Sequence, residues 1–110
     1  MPRMQESNLT VAANATSTNR VAGFTHEFLD RLATIVLAAA AAAVGLNTTL
    51  LVAGVAYVDD QAVSQANRFP IIPDDIVASE TVAGRIILRF RNTTGAGIIV
   101  NWLIDVTYLQ

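Results

Sequence analysis

From residue 85 to residue 91 the chain reads Arg-Ile-Ile-Leu-Arg-Phe-Arg, with Ile86, Leu88 and Phe90 on even positions and Arg85, Ile87, Arg89 and Arg91 on odd ones. Successive side chains of a strand point to opposite faces, so this spacing predicts a strand with one core face and one largely cationic face. After Asn92-Thr93-Thr94-Gly95-Ala96, a stretch of turn formers, Ile98, Val100, Trp102, Ile104, Val106 and Tyr108 continue on even positions opposite Asn101, Asp105 and Thr107. Alternation of that length fixes which face is buried. The two strands and their turn predict an antiparallel C-terminal hairpin. Ile87, Ile99, Leu103 and Leu109 interrupt its polar face, which is therefore expected to meet a second sheet or a subunit.

No charge interrupts the 27 residues from Leu32 to Val58. A membrane-spanning helix needs roughly 20 apolar residues, so length alone permits a span. Gly45, Asn47, Thr48, Thr49, Gly54 and a six-alanine block lower its hydrophobicity, and Arg31 before it with Asp59-Asp60 after it gives little orientation signal. A split at residues 45–49, where turn and cap residues cluster, fits better. Residues 50–58 then predict a strand that ends at Asp59-Asp60-Gln61 and returns through Ala62-Val63-Ser64. Residues 25–44 stay open between two forms. The spacing of Phe24, Phe28 and Leu32, the Glu27–Arg31 pair, the alanines and Gly45 at a capping position fit a helix. The shared parity of Phe24, Phe28 and Leu32, and residues 34–37 followed by small alanines, fit a strand buried on both sides.

Pro70 and Pro73 remove two amide donors, so residues 67–75 are expected to cross between elements or lie at an edge. Residues 1–19 carry only Met1, Met4, Leu9 and Val11 as larger apolar side chains. They predict an extended N-terminal arm, with residues 20–110 as a single domain. The class that results is mainly β, a small antiparallel β-sandwich with the C-terminal hairpin, residues 25–44 being an Ala-rich helix or a buried strand.

Composition sharpens this picture. The chain has 110 residues, 53% hydrophobic and 15% charged, with net charge −2, no cysteine, and arginine as its only strongly basic residue. A domain of this size buries only about two-thirds of the surface of its unfolded chain. Apolar surface is therefore left for a partner subunit or a bilayer to cover. Absence of cysteine excludes a disulfide scaffold, a cysteine nucleophile and a thiolate metal site. A slight negative charge argues against nucleic acid as a principal partner. Residues 1–19 lack a basic start leading into an apolar stretch, and so are not expected to be a secretory signal.

Candidate chemistry is sparse. His26 and Asp30 would share a helical face, but two ligands make a weak metal site and a solvated polar turn accounts for them. Asp59-Asp60 and Asp74-Asp75 point to opposite sides in extended chain, which suits turns, caps and salt bridges rather than a catalytic dyad or a calcium loop. Gly95-Ala96-Gly97 lies between two strands, the wrong setting for dinucleotide binding. Asn8, Asn14, Asn47 and Asn92 each begin an Asn-x-Thr triplet, formally a glycosylation acceptor and more simply a source of local backbone hydrogen bonds. No catalytic residue, cofactor or metal site is predicted. Arg85, Arg89 and Arg91 suit bidentate pairing with carboxylates, across sheets or subunits. Phosphate binding would need more basic neighbours. With Ile87, Ile99, Leu103 and Leu109 they are the candidate interface residues.

The run Pro73-Asp74-Asp75-Ile76-Val77, then residues 84–91 led by Gly84, the turn Asn92-Thr93-Thr94-Gly95-Ala96 and the alternating last strand resemble small β-sandwich virion proteins of tailed bacteriophages. The likeness covers about residues 50–110; the alanine block of residues 38–43 lies outside it. It implies a non-enzymatic structural subunit, a capsid decoration or cement protein or another minor virion component. Such a subunit would be assembled in the host cytoplasm, with itself and other virion proteins as partners. The alternatives are a small membrane protein spanning with residues 32–58 and a soluble ligand-binding sandwich.

Overall fold

A computed structural model describes residues 2–109. Its elements are β1 (Arg3–Val11), β2 (Phe28–Ala41), β3 (Leu46–Val52), β4 (Val55–Ala62), β5 (Ser64–Gln65), β6 (Ile76–Asn92) and β7 (Ile98–Tyr108), with no helix among the described residues. They follow the order β1-β7-β2-β6-β3-β4, every ladder being antiparallel except the two-residue pairing of β5 with β2. Strand β6 belongs to two layers. From Ile76 to Arg85 it pairs with β2, and from Ile86 to Asn92 with β3. The change falls beside Gly84, whose φ of +121° an L side chain rarely adopts. The first layer is β1-β7-β2-β6 and the second β6-β3-β4, and Leu37, Leu50, Leu88, Phe90, Trp102 and Ile104 pack in one core drawn from both.

The ambiguity over residues 25–44 resolves to the buried strand. Ala38, Ala39, Ala40 and Ala41 are all 0% exposed. Ala39 and Ala41 face the core with Ala33, Ile35 and Leu37. Ala38 and Ala40 have the opposite parity and lie beneath residues 66–75: the Ala66 amide donates to Ala41 O at 2.9 Å, the Ala39 amide to Asp75 O at 3.1 Å, and Asn101 Nδ2 to Arg68 O at 3.1 Å. Alanine is small enough to let that loop cross close to the sheet. The loop is closed by the buried Asp75 carboxylate, which accepts from the Ile71 amide at 2.9 Å and from Arg68 at 3.1 Å. Helix propensity is a local preference of under 1 kcal/mol per residue, and pairing on two edges with burial on both faces outweighs it.

Three expectations about connection are corrected. Residues 85–91 and 98–108 are both strands with the expected buried faces, but they are not partners: β7 lies between β1 and β2, and the later half of β6 lies beside β3. The turn between them carries the chain from one layer to the other, because the free edge of β6 is already taken. Its Leu88 and Phe90 carbonyls accept from the Arg20 and Ser17 amides, both at 2.8 Å, and its Asn92 amide donates to Ala15 O at 2.9 Å. The second hairpin turns at Ala53-Gly54, with φ of +53° and +81°, rather than at Asp59-Asp60-Gln61, which lie inside β4. Asn47, Thr48 and Thr49, expected in a turn, lie within β3. Of the expected arm of residues 1–19, Met1 lies outside the described residues, and from Arg3 onward the chain is held within the molecule: β1 pairs with β7, Met4 and Val11 are buried, and residues 15–20 lie along β6.

Candidate functional site

The outer face of the second layer gathers most of the predicted interface residues. Ile86, Leu88 and Phe90 are 0% exposed in the core, which turns Arg85, Ile87, Arg89 and Arg91 outward on the other face of β6. On β3, Leu51 stands opposite Ile87, Thr49 opposite Arg89 and Asn47 opposite Arg91. On β4, Ala56 stands opposite Leu51, and Asp59 and Asp60 fall in the irregularity between the Thr48–Gln61 and Leu50–Val58 pairs. The Asp60 amide donates to Thr49 Oγ1 at 3.1 Å, and Asp60 takes φ +53°, a conformation aspartate tolerates better than most residues.

This bulge aims Asp60 across β3 at Arg91, whose Nε and Nη2 donate to its two carboxylate oxygens at 3.0 and 2.5 Å. The bidentate contact with Arg91 holds the Asp60 carboxyl below its ordinary pKa, with a smaller contribution from Asn47, and raises that of Arg91. Both groups lie in solvent, so the pair fixes geometry more than it adds stability. Arg85 lies 3.4 Å from Glu27 and over the Phe28 ring at 5.7 Å. Arg89 is exposed and has no ion-pair partner among the described residues, and the same holds for Asp59.

The remaining interface candidates do not join this face. Ile99 is 42% exposed on β7 and Leu109 is 54% exposed just past its end, both in the first layer. Leu103 is 1% exposed, a correction to its reading as an outer-face residue: it has the outer parity of β7, but residues 66–75 cover that part of the sheet.

His26 Nδ1 lies 3.0 Å from Tyr108 Oη, while Asp30 lies 3.6 Å from Arg31, whose guanidinium stacks 4.1 Å from the Tyr108 ring centre. Among the described residues, no group of three or more acidic or histidine side chains is placed to hold a metal ion. Residues 32–58 run through β2, β3 and the start of β4, and among the described residues no helix is long and apolar enough to cross a membrane.

Sequence reasoning missed a second polar arrangement. Glu6 receives Arg20 Nε and Nη2 at 2.9 and 2.7 Å and the fully buried Trp102 Nε1 at 3.0 Å. Arg20 above all, and the indole N–H next, hold the Glu6 carboxyl below its ordinary pKa. Phe24 packs edge-on against the same Trp102, ring centres 6.0 Å apart. The only signal in the sequence was a tryptophan on the core parity of the last strand, since a buried indole needs an acceptor. Beside this group an open cleft of about 240 Å³ is lined by Leu9, Val11, Thr16, Ser17 and Arg20. It is smaller than ordinary ligand pockets, and its only cation is already engaged by Glu6.

Comparison with known protein families, with curated proteins and with solved structures finds no match. The functional reading therefore stands on the surface chemistry of this chain and on the resemblance of residues 50–110 described above.

Proposed function

We propose that this chain is a non-enzymatic structural subunit of a virus particle, a homo-oligomeric capsid decoration, cement or minor virion component that acts through apolar interfaces. The observation that carries the adhesive part of the reading is the amount of large apolar surface left open in separate regions of so small a domain. Phe28, Leu32 and Leu109 are 53, 54 and 54% exposed, and the Leu109 amide donates to Leu32 O, so the last two are neighbours at one end. Ile71, Ile72 and Ile76, exposed by 47, 43 and 38%, form a second group around the proline loop. Contiguous apolar patches on a small domain mark surfaces that a partner covers. More than one patch suits a subunit with several neighbours in a repeating assembly. The virion setting rests on the resemblance of residues 50–110 in strand and turn chemistry.

Native mass spectrometry of the purified chain tests the reading. The expected result is one dominant species at a small multiple of 11.7 kDa. A single 11.7 kDa species at every concentration up to the millimolar range, about the weakest association such patches would support, overturns it.

A further inference from the structure

The outer face of the second layer carries opposite charges on its two flanking strands at one level along the strands. Arg89 on β6 stands opposite Thr49 on β3, and Thr49 faces the part of β4 occupied by Asp59 and Asp60. Asp60 is already engaged by Arg91. Arg89 and Asp59 are both exposed, and neither has a charge partner among the described residues. At the neighbouring level, half-buried Ile87 and Leu51 stand side by side with exposed Ala56 beyond them.

We propose that this face docks a second copy of the chain, face to face, about a two-fold axis that runs along β3. The proposal rests on the homo-oligomeric reading above and names the surface that reading leaves open. Rotation about an axis parallel to the strands preserves each residue's level and exchanges the two sides of the sheet. It therefore sets β6 of one copy over β4 of the other. Arg89 meets Asp59 of the second copy, Asp59 meets its Arg89, and one complementary contact is made twice. Leu51 lies near the axis against its own counterpart, with Ile87 over Ala56. Sheets packed face to face lie about 10 Å apart, a gap that an arginine and an aspartate side chain reach across together. A polyanion fits this face poorly, because Asp59 and Asp60 oppose it at the level of Arg89. A second copy uses both signs.

Charge reversal tests the pairing in trans. Arg89→Glu places two acidic groups against each other twice in each dimer, and Asp59→Arg does the same with two cations. Each variant alone is expected to weaken self-association by about tenfold or more. An equimolar mixture restores both contacts, one as in the wild type and one with its signs exchanged, so one-to-one heterodimers are expected at near wild-type affinity, resolved by native mass spectrometry with one variant isotopically labelled. Should a reversal unfold the chain, Arg89→Gln and Asp59→Asn remove the charges instead; each is expected to weaken association about threefold or more. If the wild type associates and these variants do not weaken it, or the mixed reversals fail to recover, the face-to-face arrangement is wrong and the oligomeric reading survives. A wild-type chain that remains monomeric overturns both.

Discussion

Asn92 uses every polar group it has. Its Nδ2 donates to Val11 O at 3.0 Å and Ala96 O at 2.7 Å, and its Oδ1 accepts from the Thr94 amide at 2.9 Å and from Thr94 Oγ1 at 2.8 Å, in a residue only 1% exposed. Asn92→Ala takes this donor from the buried Val11 carbonyl and the acceptor from the half-buried Thr94 amide, and is expected to lower unfolding stability by about 1–3 kcal/mol in urea denaturation. Glu6 gives a pH signature. Its folded pKa is depressed, so its contribution is complete above the ordinary glutamate value and is lost as pH falls through the depressed one. Wild-type stability is expected to drop as pH falls below the ordinary glutamate value of about 4.5. Glu6→Gln should flatten part of that slope and lower stability at neutral pH by about 1–3 kcal/mol. An unchanged slope in the variant would assign the acid sensitivity elsewhere. Neither residue's role was legible in the sequence. Asn92 read as an ordinary turn former, and Glu6 lies 14 residues from Arg20 and 96 from Trp102, so no local pattern links them.

Among the elements, faces were legible and partners were not. Alternation in residues 85–91 and 98–108 identified Ile86, Leu88, Phe90, Val100, Trp102 and Ile104 as core, because a period of two is intrinsic to the strand. It carried nothing about which strand lies beside which, and the intuitive hairpin gave way to a change of layer. The alanines of β2 were ambiguous for the same reason, since their strand state is set by neighbours distant in sequence. Leu103 was misread because alternation assigns a side but not what covers it. Two substitutions test these placements. Gly84→Ala brings a new Cβ to 2.7 Å from Ala53 Cβ at a positive φ, where β6 passes between layers. It is expected to destabilise the fold by about 1–3 kcal/mol, measured as a lower urea midpoint with unchanged slope. Ala40→Leu, beneath the proline loop, should cost about 1–3 kcal/mol through overpacking. Tolerance of leucine there would mean that residues 66–75 do not lie tightly on β2.

At the scale of the whole molecule, the surplus of apolar composition is distributed over several outer regions rather than gathered into one buried span. Phe28, Leu32 and Leu109 lie at one end, Ile71 and Ile72 on the proline loop, and Ile87 of β6 beside Leu51 of β3 on the outer face of the second layer. Such a distribution suits repeated contacts with copies and neighbours, apolar area supplying attraction and the charges setting register. Ionic contacts at this face are screened over about 8 Å at physiological salt, so self-association is expected to weaken as salt is raised, in contrast to one held by apolar contact alone. The chain contains no cysteine. A single Thr49→Cys therefore places one spin label per copy beside the proposed axis. Pulsed electron resonance on that variant is the most direct measurement: a narrow distance distribution centred below about 25 Å, set by sheets about 10 Å apart plus two label arms, is the result predicted. An associated chain whose labels at residue 49 show no coupling in that range would contradict it.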